Sequence, residues 1–150
     1  MGDRTSVTLT VLNEQAEEAK RFFEERDVDH VSNDSVFTHF CFYEINYGML
    51  LFLDDLQKAG VAFDSSWDHG SEYGPGTDYC RFLADGTVWR EDFSDDYINP
   101  DLKRCMELIG NPEELKAFIV EHHNKVTPPS WEFQNVYGKL YKTKQLIDPD

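Results

Sequence analysis

Three groupings in this 150-residue chain contain the residue types that chemistry requires. His39 and Cys41 stand two apart in an aromatic, β-branched run, so on a strand they share a face and could begin a zinc site. No second ligand pair follows at metal-like spacing, and packing satisfies such a pair more simply. Cys80, His69 and either Asp68 or Asp78 could be cast as nucleophile, base and orienting acid. A thiolate needs positive surroundings, however, and this region is strongly negative, which raises a thiol pKa and argues against a cysteine hydrolase. The acidic, glycine-bearing segment 64–78 offers oxygen ligands of the kind calcium takes, but without the spaced pattern of a calcium loop. These residues predict no catalytic set and no metal.

Charge is the stronger signal. Between positions 64 and 101, ten carboxylates (Asp64, Asp68, Glu72, Asp78, Asp85, Glu91, Asp92, Asp95, Asp96, Asp101) meet only Arg81 and Arg90, a local net charge of −8 out of −15 for the chain. Trp67, Tyr73, Tyr79, Trp89 and Tyr97 are interleaved with them. A field of that sign repels nucleic acid and acidic membranes, and it draws in basic partners and speeds their association. Phosphate handling is disfavoured for the same reason: Gly70, Gly74 and Gly76 lie among acids, and neither GxxxxGK[ST] nor GxGxxG occurs. No cofactor is expected. With so many acids, no particular pair is singled out for glycosidase-type acid and base work.

The elements that must hold these residues can be read from periodicity. Positions 6–12 alternate Val7, Leu9 and Val11 with polar residues, as a half-buried strand does. Asn13 then reads as the N-cap of a helix over 14–26, with Ala16, Ala19 and Phe23 at helical spacing. The polar stretch 27–35 reads as a connection, 36–45 as a central strand, and Met49, Phe52, Leu53 and Leu56 as the stripe of a second helix closed by Gly60. A strand at 61–67 and a glycine-rich loop at 69–76 precede two strands, 79–84 and 87–93, joined at Asp85-Gly86 as a type I′ hairpin. Asn99-Pro100-Asp101 and Asn111-Pro112-Glu113 each read as a helix opening, one burying Leu102, Cys105, Met106 and Ile109, the other Leu115, Phe118, Ile119 and His122 or Val126. After Pro128-Pro129, the basic tail with Lys139, Lys142 and Lys144 reads as a last strand or strap around Val136, Tyr137, Leu140 and Tyr141.

These readings predict one domain over 1–150: an α+β fold with a mostly antiparallel sheet of four to five strands and three to four helices packed on one face. The first residues lack a charged-then-apolar pattern and no apolar stretch is long enough to span a bilayer, so a cytoplasmic protein is expected, not held at a membrane. Three widely spaced cysteines build neither a disulfide framework nor a zinc ribbon. No motif specifies an oligomeric state.

The function expected is that of a non-enzymatic acidic inhibitor or binding protein that neutralises a basic nuclease or nucleic-acid-binding complex, without touching nucleic acid itself. A row of carboxylates imitates duplex phosphate, and aromatics supply desolvated anchors. The expected contact residues are Trp67, Asp68, Glu72, Tyr73, Asp92, Asp95, Asp96 and Tyr97, with Arg81 and Arg90 as internal counter-charges. The alternative is a small ligand-binding domain or enzyme whose pocket is the loop 67–76, lined by Trp67, His69, Glu72 and Tyr73.

Overall fold

Alternating apolar residues assemble six strands into one antiparallel sheet, ordered β2-β3-β1-β4-β5-β6. The strands are β1 (Arg4–Leu12), β2 (His30–Asn33), β3 (Phe37–Asn46), β4 (Phe63–Trp67), β5 (Gly76–Phe82) and β6 (Val88–Ser94). This computed structural model describes residues 3–147. Five helices accompany the sheet: α1 (Ala16–Ala19), α2 (Leu53–Lys58), α3 (Leu102–Glu107), α4 (Pro112–Val126) and α5 (Gln134–Ile147). The class is α+β, with six strands where four or five were expected and five helices where three or four were.

The register explains the core. Val7 stands opposite Phe42 and Trp67, Leu9 opposite Phe40 and Ser65, and Phe63 opposite Cys80, so one face of the sheet is apolar. Ala16, Ala19, Leu53, Leu56 and Tyr141 belong to the same buried cluster. Burying each Leu or Phe there stabilises by about 1.5–3 kcal/mol, enough to make packing rather than helix propensity the organising force. The opposite face carries Thr8, Thr10, His39, Cys41, Ser66, Thr77 and Tyr79, a polar surface on which His39 Nδ1 meets Thr10 Oγ1 at 2.8 Å. Helices therefore do not all lie on one side: Phe93, on the polar face, packs against Tyr97, whose ring meets His122 of α4.

Three expected elements differ. The helix over 14–26 is instead a broken run of short 3-10 and α turns that ends at Phe22, with Phe23 extended at φ −144°. Asn13 does not cap it: its Nδ2 donates to the Asp34 carbonyl and its Oδ1 accepts from Thr38 Oγ1, tying β1 to the turn before β3. The extended Phe23 sets its ring 5.1 Å from Phe40 and 5.3 Å from Phe42, a packing gain that overrides helical continuation. Within the supposed connection, β2 forms an edge strand whose four residues are all exposed and hence carry no apolar alternation. The tail is helix α5, not a strand, because the residues it buries at helical spacing are Gln134, Gly138 and Tyr141, two of them not apolar.

Smaller corrections have equally local causes. The β5–β6 hairpin closes through a three-residue loop, with Leu83 N donating to Thr87 O and Gly86 N to Leu83 O, and only Gly86 takes positive φ, at +82°. That is a type I turn with a left-handed glycine, not type I′. Asp101 rather than Asn99 caps α3, accepting from Lys103 N at 3.0 Å, whereas Asn111 caps α4 as expected. Leu102 and Met106 of α3 and Ile109 just beyond it face solvent, 75%, 58% and 62% exposed, and Ile119 of α4 is also exposed. Leu115, Phe118 and His122 are half-buried and Val126 is buried.

Candidate functional site

Burial divides the ten clustered carboxylates into two sets. Asp64 and Asp78 are half-buried and each faces an arginine; the other eight are exposed. Arg90 grips Asp78 with two bonds, Nε to Oδ1 at 2.6 Å and Nη2 to Oδ2 at 2.8 Å, and reaches Asp54 and Gln57 with Nη1. Asp78 stands directly opposite Asp92 across the hairpin, so Arg90 relieves a like-charge pair as the sequence suggested. Arg81 is 1% exposed. Its Nη1 lies 2.8 Å from Asp64 Oδ1 and donates to the Phe63 and Cys80 carbonyls, its Nε donates to the Pro129 carbonyl, and its guanidinium lies 3.7 Å over the Trp131 ring. Burial raises the Asp64 pKa and outweighs the attraction of Arg81.

The exposed set is Asp68, Glu72, Asp85, Glu91, Asp92, Asp95, Asp96 and Asp101. Among the described residues none of these eight pairs with a lysine or arginine. Their positions follow the sheet. Trp67 of β4 pairs with Gly76 of β5, Gly76 pairs with Ser94 of β6, and Asp95 N donates to the Pro75 carbonyl, so the 68–75 loop and the turn at 95–98 share one end of the sheet.

Along the edge strand lies a groove of about 830 Å³ between β6 and α4. Trp89, Glu91, Asp92, Phe93 and Ser94 form one wall, Tyr97 an end, and Glu121, Asn124 and Lys125 the other wall. These α4 residues recur at i, i+3 and i+4, so a polar helix face looks at the strand without closing on it. His122 Nε2 donates to the Tyr97 carbonyl at 2.7 Å, and Val126 is buried at the last turn of α4. Three carboxylates, one ammonium and three aromatic rings therefore line a groove suited to a cation.

The expected contact residues separate accordingly. Asp92 and Tyr97 line the groove, and Asp95 and Asp96 lie exposed beside its end. Asp68 and Glu72 are exposed on the loop. Trp67 and Tyr73 are half-buried and shape that loop: the Trp67 indole donates to Gly74 O and packs so closely on Gly76 and Gly48 that neither has room for a Cβ. Asp3 holds the loop from outside, its carboxyl pKa lowered chiefly by the Ser71 N–H. Outside the expected contact set the groove adds Trp89, Glu91, Phe93, Ser94, Glu121, Asn124 and Lys125; the alternation Trp89, Glu91, Phe93 on β6 was the available signal.

The groupings considered for catalysis do not meet. Cys80 points into the core at 0% exposure and burial pushes its thiol up to about 12, whereas His69 is exposed beside Asp68, Nδ1 to Oδ1 3.3 Å. Cys41 sits 3.7 Å from Thr8 Oγ1. Among the described residues no three His, Cys, Asp or Glu side chains stand where they could hold a metal ion, and no helix is long and apolar enough to cross a membrane. The expected labelling pattern follows: a thiol reagent modifies half-exposed Cys41 and Cys105 in the native protein and Cys80 only after denaturation, read by peptide mass. Modification of native Cys80 would contradict this burial. Comparison with protein-family models, with curated proteins and with solved structures finds no match to this chain.

Proposed function

We propose that this protein is a non-enzymatic acidic binding protein that neutralises a basic nuclease or nucleic-acid-binding complex. The reading rests on the division of the carboxylates: the two internal ones are matched by arginines, Asp85 lies near Lys144 and Asp101 caps α3, and the six others, Asp68, Glu72, Glu91, Asp92, Asp95 and Asp96, are left for an external cation. Charge kept only for solubility would be interspersed with both signs, not gathered along one edge and end of a sheet. Unpaired surface acids steer a cationic partner, and Tyr97, Phe93 and Trp89 give it desolvated area. Two biological settings share this chemistry: a phage or plasmid protein that blocks a host defence complex by mimicking DNA, and an immunity protein against a basic nuclease toxin.

The test is capture from nuclease-treated lysate by the protein and by its Asp92→Lys, Asp95→Lys, Asp96→Lys triple variant. All three sites are exposed, so the variant keeps its thermal stability. A basic nucleic-acid enzyme released by salt from the native protein, and bound on the order of 100-fold more weakly by the variant, is the expected result. A set of bound proteins that is not basic, or is identical on both columns, would remove the proposal.

A further inference from the structure

We propose that β6 accepts a seventh strand: an extended, lysine- or arginine-bearing segment of the partner that pairs with the outer edge of β6 inside the groove beneath α4. This rests on the basic-partner reading and specifies how that partner is held. As the last strand of the sheet, β6 bonds to β5 on one side and, among the described residues, has no strand on the other. An unpaired edge is a template for another backbone. The opposite edge, β2, is four residues long and its neighbouring groove mixes Lys20 and His30 with Glu25 and Asp29; β6 runs for seven residues beside an acidic groove.

Chemistry selects the occupant. Acids on an edge strand repel an identical edge, so Glu91 and Asp92 oppose pairing of β6 with its own copy. The chain's own basic segment cannot serve either, because α5 already spends its backbone groups within a helix. A foreign strand meets neither obstacle. Its alternate side chains would face the Trp89, Glu91, Phe93 row; a cationic residue there satisfies Glu91, and a second competes with the exposed Lys125, 3.6 Å from Glu121 across the groove, while their stems cover the rings.

The experiment measures binding of a fluorescent octapeptide of alternating lysine and valine to the full chain by anisotropy at low salt, beside the same peptide N-methylated on its two central residues. The methylated peptide keeps the charge and loses the inner backbone donors. Expected results are binding that falls at least tenfold on methylation and at least tenfold in Glu91→Lys and Glu121→Lys, with slowed hydrogen exchange of residues 88–94 in the complex. Equal binding of both peptides overturns strand pairing and leaves the basic-partner reading standing. Failure of both to bind also overturns the seventh strand, whereas the partner reading falls only if capture is unaffected by the triple reversal at Asp92, Asp95 and Asp96.

Discussion

Arg81→Ala unfolds far more readily than the native protein, by about 3–5 kcal/mol, the range for deleting one member of a buried ion pair. The loss is compound. A nearly inaccessible guanidinium disappears, the Pro129 carbonyl loses its donor, Asp64 loses its counter-charge, and Trp131 loses the cation against its ring. Measured by thermal melting, the fall in Tm is on the order of 10 °C for a chain of this length. Asp64→Asn behaves differently, because burial has already raised the Asp64 pKa. A carboxyl whose folded pKa is raised is least costly when protonated, so it weakens the fold as pH rises from the ordinary 3.8 through the raised value. The variant therefore gains stability relative to the native protein as pH rises through that window, and denaturant melts at a series of pH values read the sign. Native-like stability of Arg81→Ala would show that the guanidinium merely fills space.

Arg81 also shows how much of the site was legible. That Arg81 and Arg90 are internal counter-charges follows from two cations among ten acids on paired strands, and the structure places both so. Which acids they take does not follow, since Arg90 reaches Asp78 diagonally across the hairpin and Asp54 on α2, a contact set by how that helix crosses the sheet. The groove was half visible. Asp92 and Tyr97 belong to the clustered acids and aromatics, whereas Glu121, Asn124 and Lys125 look like an ordinary solvated helix face until α4 is placed beside β6.

The fold was legible where burial is apolar and periodic. Val7, Leu9 and Val11 announce β1 because all three are buried in the apolar cluster on one face of that strand. Where burial is polar or backbone-mediated, periodicity is silent. Gln15 shows the first case: its amide accepts from Ala62 N and donates to the Gly60 carbonyl, so it substitutes for a strand in a gap of the backbone. Gln134 does the same for both backbone groups of Phe82, just beyond the end of β4. A hydropathy pattern scores both glutamines as solvent-facing and so leaves α5 without a recognisable buried stripe, whereas the early end of the first helical run has its own cause in the Phe23 ring turning onto Phe40 and Phe42.

Gly138→Ala tests the second case, burial against backbone. In an exposed helix interior, alanine is favoured over glycine by about 1 kcal/mol, so propensity alone predicts stabilisation. Contact predicts the reverse, since a Cβ on Gly138 would overlap the Gly60 carbonyl oxygen, and one on Gly60, which holds φ at +76°, would strike the Gly138 carbonyl. Neither obstacle is a side chain that can swing away. Relief requires α5 to lift, and lifting it separates Tyr141 from Phe82, now 5.0 Å apart, and pulls the Gln134 amide from the end of β5. Contact wins because those losses involve buried polar groups, and the expected cost is about 2–3 kcal/mol, within the range for an overpacked core. Gly110→Ala supplies the control, with no atom near the added methyl and no positive φ, and it should alter stability by under about 0.5 kcal/mol. If urea melts show the two variants equally stable, then α5 is not fastened at the Gly60 crossing.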